Sequence, residues 1–230
     1  MKLEKFKFLG IIPARSGNQE IKNKNIIKLK NKFLVEYTLI SAKKSKLLKD
    51  IIVSTNSKKI KNLAYKYKID CPFLRPENLA TKFSHISETL LYTLKKYESV
   101  TKKKYDYVVM LQPTSPKREV GEIDRCIRKI IKYKANSLIS IVRLDEPHPM
   151  KLKKIKKNFV SPYIKGIKDN LPRQRLEKVY APSGNIYIFS RKLIFKKKLS
   201  SKDMLYDLIK SNNYLNINNH IDIIRANTIL

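Results

Sequence analysis

Short apolar segments that alternate with amphipathic ones are the feature that most limits what this chain can become. Strand signals fall at Lys7 to Ile12, at "DIIVST" from Asp50, at "CPFL" from Cys71, at "YDYVVML" ending at Leu111, and at "SLISIV". Between them lie segments with helical spacing. These are "FLVEYTLISAKKSKLL" from Phe33, a Ser57-capped stretch to about Tyr67, "SHISETLLYTLKKY" from Ser84 with a capping-box-like Ser84…Ser87-Glu88, and "EIDRCIRKIIKY". Strands separated by helices of roughly 10–15 residues need crossovers, and right-handed crossovers build a parallel sheet. The predicted fold is therefore α/β, with a doubly wound, mostly parallel sheet. In such sheets ligands bind beyond the carboxyl ends of the strands.

The alternation stops near Leu144. From there to Pro182 the chain carries Pro, Lys and short alternating runs, and it reads as an inserted arm of β-hairpin character at about 144–182. "SGNIYIFSR" from Ser183 restores a strand. "YLNINNHIDIIRANTIL" closes the chain as a strand followed by a helix, with Asn219 near its cap and Asp222 in its first turn. A length of 230 residues suits one domain, 1–230, carrying that arm.

The formal net charge of +32 invites a nucleic-acid reading. Lys far outnumbers Arg, however, and the lysines are dispersed, whereas phosphate clamps and base readers lean on clustered Arg. The charge implies attraction to anionic small molecules. Cys71 and Cys126 form no CxxC pair and read as buried free thiols of a reducing compartment. No apolar run approaches the roughly 20 residues of a membrane span. A cytoplasmic protein is expected.

Three segments carry candidate chemistry, each beside a predicted strand: "IIPARSGNQEIKNKN", "LQPTSPKR" at 111–118, and "RQRLEKVYAPSGNIYIF" at 173–189. A strand feeding a loop rich in backbone N–H groups and cations suits a phosphate. Alone, each segment is also an ordinary surface loop or a Pro-rigidified turn. Arg75, Lys151 and Tyr187 alone read as plain surface or core residues.

Taken together, the segments identify a family. The chain resembles the acylneuraminate cytidylyltransferases, or CMP-sialic acid synthetases, of nucleotide-diphospho-sugar transferase-like fold. The resemblance rests on Ala14-Arg15, Lys24-Asn25, "VSTNS" at Val53, "LRPENLA" at Leu74, "LQPTSPKR", Arg173-Gln174 and "SGNIYI", and it covers nearly the whole chain. It implies that CTP and an acidic nine-carbon keto sugar give CMP-sugar and pyrophosphate, for a surface glycan such as lipopolysaccharide or capsule. It implies a nucleotide site of Ala14, Arg15, Ser16, Gly17, Lys24, Asn25 and Arg75, with Arg15, Lys24 and Gln112 catalytic. It implies a sugar site of Gln112, Thr114, Ser115, Lys151, Arg173, Gln174 and Tyr187, completed across a homodimer by the arm. Magnesium is the implied cofactor, and Asn216 and Asn218 stand where the family's metal-binding Asp-x-Asp lies.

Several positions depart from the family pattern. Gln19 replaces a phosphate-facing lysine, Asn56 an Asp, and Lys82 an acid; the Asn216-Ile217-Asn218 amides should hold magnesium weakly. Three readings stay open at this point: an active enzyme with an altered metal arrangement or sugar, a slow or non-catalytic relative that still binds nucleotide or sugar, and, last, a basic nucleic-acid binder. The surviving Arg15, Lys24, Gln112 and Arg173 favour the enzyme.

Overall fold

The computed structural model describes residues 5–17, 20–166 and 172–230. In chain order, β1 (Phe8–Pro13) leads into a small β2–β3 hairpin (Lys28–Leu29 and Lys32–Phe33) and then α1 (Leu34–Lys43). β4 (Asp50–Ser54), α2 (Lys58–Lys66), α3 (Ile86–Thr101), β5 (Tyr107–Met110), α4 (Glu122–Tyr133) and β6 (Ser137–Leu144) follow. A second hairpin, β7 (Lys153–Lys156) and β8 (Phe159–Pro162), precedes β9 (Val179–Ser190), α5 (Arg191–Phe195), β10 (Leu205–Ile209) and α6 (His220–Ile229).

Six strands form the central sheet in the order β10-β6-β9-β5-β1-β4. β1 pairs in parallel with β4 and β5, and β10 with β6. Only β9 runs against its neighbours, β5 and β6. The strands at the middle are continuous apolar runs because both of their faces are covered. Phe8 and Ile12 of β1 pack with Val35 and Leu39 of α1, Ile60 of α2 and Ile127 of α4. Leu9 and Ile11 point the other way, onto Leu90 and Leu94 of α3 and Ile194 of α5. The sheet is thus wound on both sides, as the alternation predicts. Each fully buried Leu or Ile contributes about 1.5–3 kcal/mol.

Four local expectations change. "CPFL" is no strand: Ile52 and Asp70 make one isolated bridge, and Pro72 has no N–H with which to extend a ladder. α3 is capped at His85 with no side-chain bond, because the Ser84 hydroxyl donates to the Asn78 carbonyl. The strand near the C-terminus is β10, and Tyr214–Asn218 is extended chain outside the sheet. Val179–Pro182 at the end of the expected arm pairs with β6 inside the central sheet. The closing helix fits its signals: Asn219 and Asp222 form a capping box at α6.

A smaller apolar cluster lies to one side. Ile21, Leu29 and Leu34 meet Leu215, Ile217 and Ala226 there. It fastens the chain's last segment beneath the loop that follows β1.

Candidate active site

β1, β4 and β5 end side by side, and their carboxyl ends feed the walls of one cleft of about 270 Å³. The first wall is the loop after β1. The Ala14 N–H donates to the Ser54 carbonyl at 2.9 Å, which extends the β1–β4 ladder by one bond. Arg15 follows, half-buried, with Nη1 donating to the Ala80 carbonyl at 3.3 Å. The Arg15 carbonyl accepts from Asn25 Nδ2 at 2.8 Å, so the two ends of the loop are cross-tied. The Ser16 N–H donates to Asn56 Oδ1 at 2.9 Å. Gly17 turns the chain at φ +75°, in the left-handed region that a side chain seldom adopts.

Lys24 differs from its expected state. Its sequence setting predicts an exposed cation, yet it is buried, and its ammonium donates to the carbonyls of Ile217 at 3.0 Å and Asn218 at 3.3 Å. Loss of water around the amine pushes its pKa down, partly offset by Glu20 and Asp222.

The second wall descends from β4. The Arg75 N–H donates to the Thr55 carbonyl at 2.7 Å, which brings a guanidinium into the cleft at 5% exposure. Nη1 reaches Thr89 Oγ1 at 3.4 Å, while Nε and Nη2 have no protein partner. Burial, with Arg15 close by, lowers this guanidinium to about 10. A buried donor pair without acceptors is costly, and its natural complement is a ligand oxygen or ring nitrogen. Arg15, Lys24, Arg75 and Lys82 all line the cleft, and among the described residues no carboxylate does. The cleft is built for an anion.

The third wall is the turn after β5. Arg118 grips it, donating to the Gln112 carbonyl at 2.6 Å, the Asn185 carbonyl at 2.8 Å and Thr38 Oγ1 at 2.7 Å. The Ser115 hydroxyl donates to the Ser183 carbonyl. Next door is Gly184, at φ +80°: a Cβ there would stand 2.5 Å from Ser115 Oγ and 2.9 Å from Gln112 Oε1. β9 therefore offers a recess in which these two side chains rest. Arg118 lay inside the "LQPTSPKR" motif but carried no assigned role, since spacing does not reveal which carbonyls an arginine will bind.

Of the expected residues, Arg15, Lys24, Asn25, Arg75, Gln112 and Thr114 converge on the cleft. Ala14 and Ser16 shape its loop. Ser115 is buried behind it. Tyr187 sits half-buried in β9, stacked on Phe189 with ring centroids 6.3 Å apart, and packs against the core. Lys151 is exposed and pairs with Glu146 at 3.6 Å, and Gln174 is exposed near the arm. Gln19 and the side chain of Arg173 lie outside the described residues.

Asn216 and Asn218 offer amides and no carboxylate of their own at the place where the resemblance implies a metal. Asn216 Oδ1 is buried without a partner, Asn218 is exposed, and the carbonyls beside them already hold the Lys24 ammonium. The Asp222 carboxylate there accepts the Asn218 N–H at 2.7 Å, and a divalent cation would have to share the place with the Lys24 ammonium. Among the described residues no group of three or more His, Cys, Asp or Glu could hold a metal.

Comparison with known proteins agrees with this geometry. A CMP-N,N'-diacetyllegionaminic acid synthase of Legionella pneumophila is 32% identical over 193 residues, covering 84% of this chain and 82% of its own. An N-acylneuraminate cytidylyltransferase of Escherichia coli is 34% identical over 144 residues, or 61% of this chain and 32% of that one. A CMP:2-keto-3-deoxy-manno-octonic acid synthetase solved with CTP shares the fold, with a TM-score of 0.70 over 97% of this chain and 98% of that one at 11% identity. The cytidylyltransferase family model matches residues 9–204, which takes in all three walls of the cleft, and the chain belongs to that family.

Proposed function

We propose that the protein activates an acidic nine-carbon keto sugar of the legionaminic or sialic type with CTP, giving CMP-sugar and pyrophosphate. The observation that carries this reading is the cleft itself: among the described residues it is lined by four cations and no carboxylate, and two guanidinium nitrogens of Arg75 have no protein partner. Arg75 donates to the cytosine ring. The Arg15 guanidinium takes the phosphates. The anomeric hydroxyl of the sugar attacks the α-phosphorus in line, and the bond to the pyrophosphate oxygen breaks. Charge builds on the non-bridging oxygens, so this chain's contribution is positioning and cationic stabilisation by Arg15 and Lys24.

Gln112, held by Arg118 from behind, presents its amide to the sugar beside Thr114. Lys151, Arg173 and Gln174 belong to the arm, and they serve a second copy's cleft in a homodimer. Support for that arrangement is the apolar surface of the arm hairpin, where Ile155 and Phe159 are each 77% exposed. Magnesium, in this reading, arrives on the triphosphate. The described residues contain no helix long and apolar enough to cross a membrane, and we place the reaction in the cytoplasm, ahead of surface glycan assembly.

The test is pyrophosphate release from CTP and magnesium with a panel of nine-carbon keto acids. Release with a legionaminic or sialic acid is expected. CTP binding with no release from any sugar would leave a nucleotide-binding relative without turnover, a reading favoured only by the Asn216 and Asn218 amides. Neither binding nor release would end the proposal.

A further inference from the structure

Asn56 stands between the first two walls of the cleft, and its amide is wired to both. Oδ1 accepts the Ser16 N–H at 2.9 Å, and Nδ2 donates to the Glu77 carboxylate at 3.0 and 3.2 Å. The partners fix the orientation of the amide. A backbone N–H can only donate and a carboxylate can only accept, so one side chain must offer an acceptor and a donor at once. The residues just before it point the same way. The Ser54 carbonyl takes Ala14 N at 2.9 Å and the Thr55 carbonyl takes Arg75 N at 2.7 Å. Three consecutive residues at the carboxyl end of β4 thus bind the Arg15 loop on one side and the Arg75 segment on the other.

We propose that Asn56 is a positioning residue that clips the Ser16 loop to Glu77 and so holds Arg15 and Arg75 at a fixed separation. The proposal rests on the nucleotide reading above. The two guanidinia repel, and Arg15 contributes to lowering Arg75 while Glu77 acts in the opposite sense. Without a ligand, something must hold these cations near each other, and Glu77 supplies the charge while Asn56 supplies the link. An aspartate at 56 would keep the Ser16 bond but set carboxylate against carboxylate at the Glu77 contact. Asn56 is therefore matched to Glu77 and does not mark a weakened site.

The test uses the full chain, with CTP binding by calorimetry and amide hydrogen exchange at Ser16 and Gly17 without nucleotide. Asn56→Asp should weaken CTP binding by about tenfold and speed exchange, since like charges in contact undo the clip. Glu77→Gln keeps an acceptor for Asn56 but removes the charge, so it should weaken CTP binding only modestly, by about threefold. The double variant Asn56→Asp with Glu77→Gln restores a donor opposite an acceptor, and should return both readouts to within about threefold of wild type. Asn56→Ser adds no charge and cannot span both partners; it should lose affinity too, without rescue by Glu77→Gln. Rescue of this kind does not follow from a merely structural role. The proposal falls if Asn56→Asp binds CTP as well as wild type, or if the double variant is no better than Asn56→Asp. If wild type itself binds no CTP, the nucleotide reading fails, and the exchange pattern alone decides whether the clip exists.

Discussion

The two halves of the sheet are finished differently. In the β4–β1–β5 half both faces are covered, and Leu9, Ile11 and Ile52 are fully buried. In the other half the edge strand β10 leaves Tyr206 at 56% and Leu208 at 50% exposure, and the β7–β8 hairpin leaves Ile155, Phe159 and Val160 in water. A two-stranded hairpin is marginal by itself. The contrast teaches that the three walls of the cleft are tied to one another within one chain by named hydrogen bonds. The arm presents surface that nothing in the single chain uses.

The comparison breaks hardest at Arg118. Arg118→Ala would strip its bonds from the Asn185 carbonyl, the Gln112 carbonyl and Thr38 Oγ1 and remove the positive charge beside buried Glu122, at a cost of about 3 kcal/mol. Urea unfolding should show that loss, and turnover should fall with it. Arg118→Lys keeps the charge but not the fork, and should recover only part.

A middle effect is expected at Lys24. Lys24→Met leaves the Ile217 and Asn218 carbonyls without their donor, which costs about 1–2 kcal/mol. The pH dependence sharpens the test. The folded pKa of Lys24 is lowered, so between it and the ordinary 10.5 the unfolded chain binds more protons. Wild type should then gain stability relative to Lys24→Met as pH rises through that window. Equal slopes for the two proteins in denaturant titrations across it would show that the ammonium is not desolvated.

The smallest effect on folding belongs to the arm. Ile155→Asp with Phe159→Asp changes residues already in solvent, so the fold of the single chain should shift by no more than about 0.5 kcal/mol. Sedimentation should nevertheless show a dimer becoming a monomer. If the wild type already sediments as a monomer, the arm has no second copy to serve.

What could be read beforehand follows the same divide. β1, β4, β5 and α4 stand where their patterns put them, because full burial on both faces or one clean helical stripe leaves a strong periodic trace. β10 escaped notice because only Asp207 and Ile209 of its five residues are buried, and its pairing with β6 is a long-range fact. Tyr214–Asn218 does alternate, with Leu215 and Ile217 buried in the small side cluster, yet it joins no ladder. Its Ile217 N–H goes to the Thr114 carbonyl. Alternation reports extended chain over an apolar floor and says nothing of the neighbour. Among site residues, the convergence of Arg15, Arg75 and Gln112 was legible through motif and topology. The burial of Lys24 was not, because lysine in a polar stretch looks solvated until its acceptors, far along the chain, are placed.

That distance has a meaning in time. Lys24 leaves the ribosome long before the two carbonyls that hold it, which are made 193 and 194 positions later. Non-local closures of this length are slow steps. The growing chain can pair β1 with β4 long before it can seat Lys24, so the sheet precedes the cleft, and a chain cut short before Ile217 would carry the loop after β1 with its lysine untethered. Competence to hold an anion is thus deferred until Ile217 and Asn218 have been made.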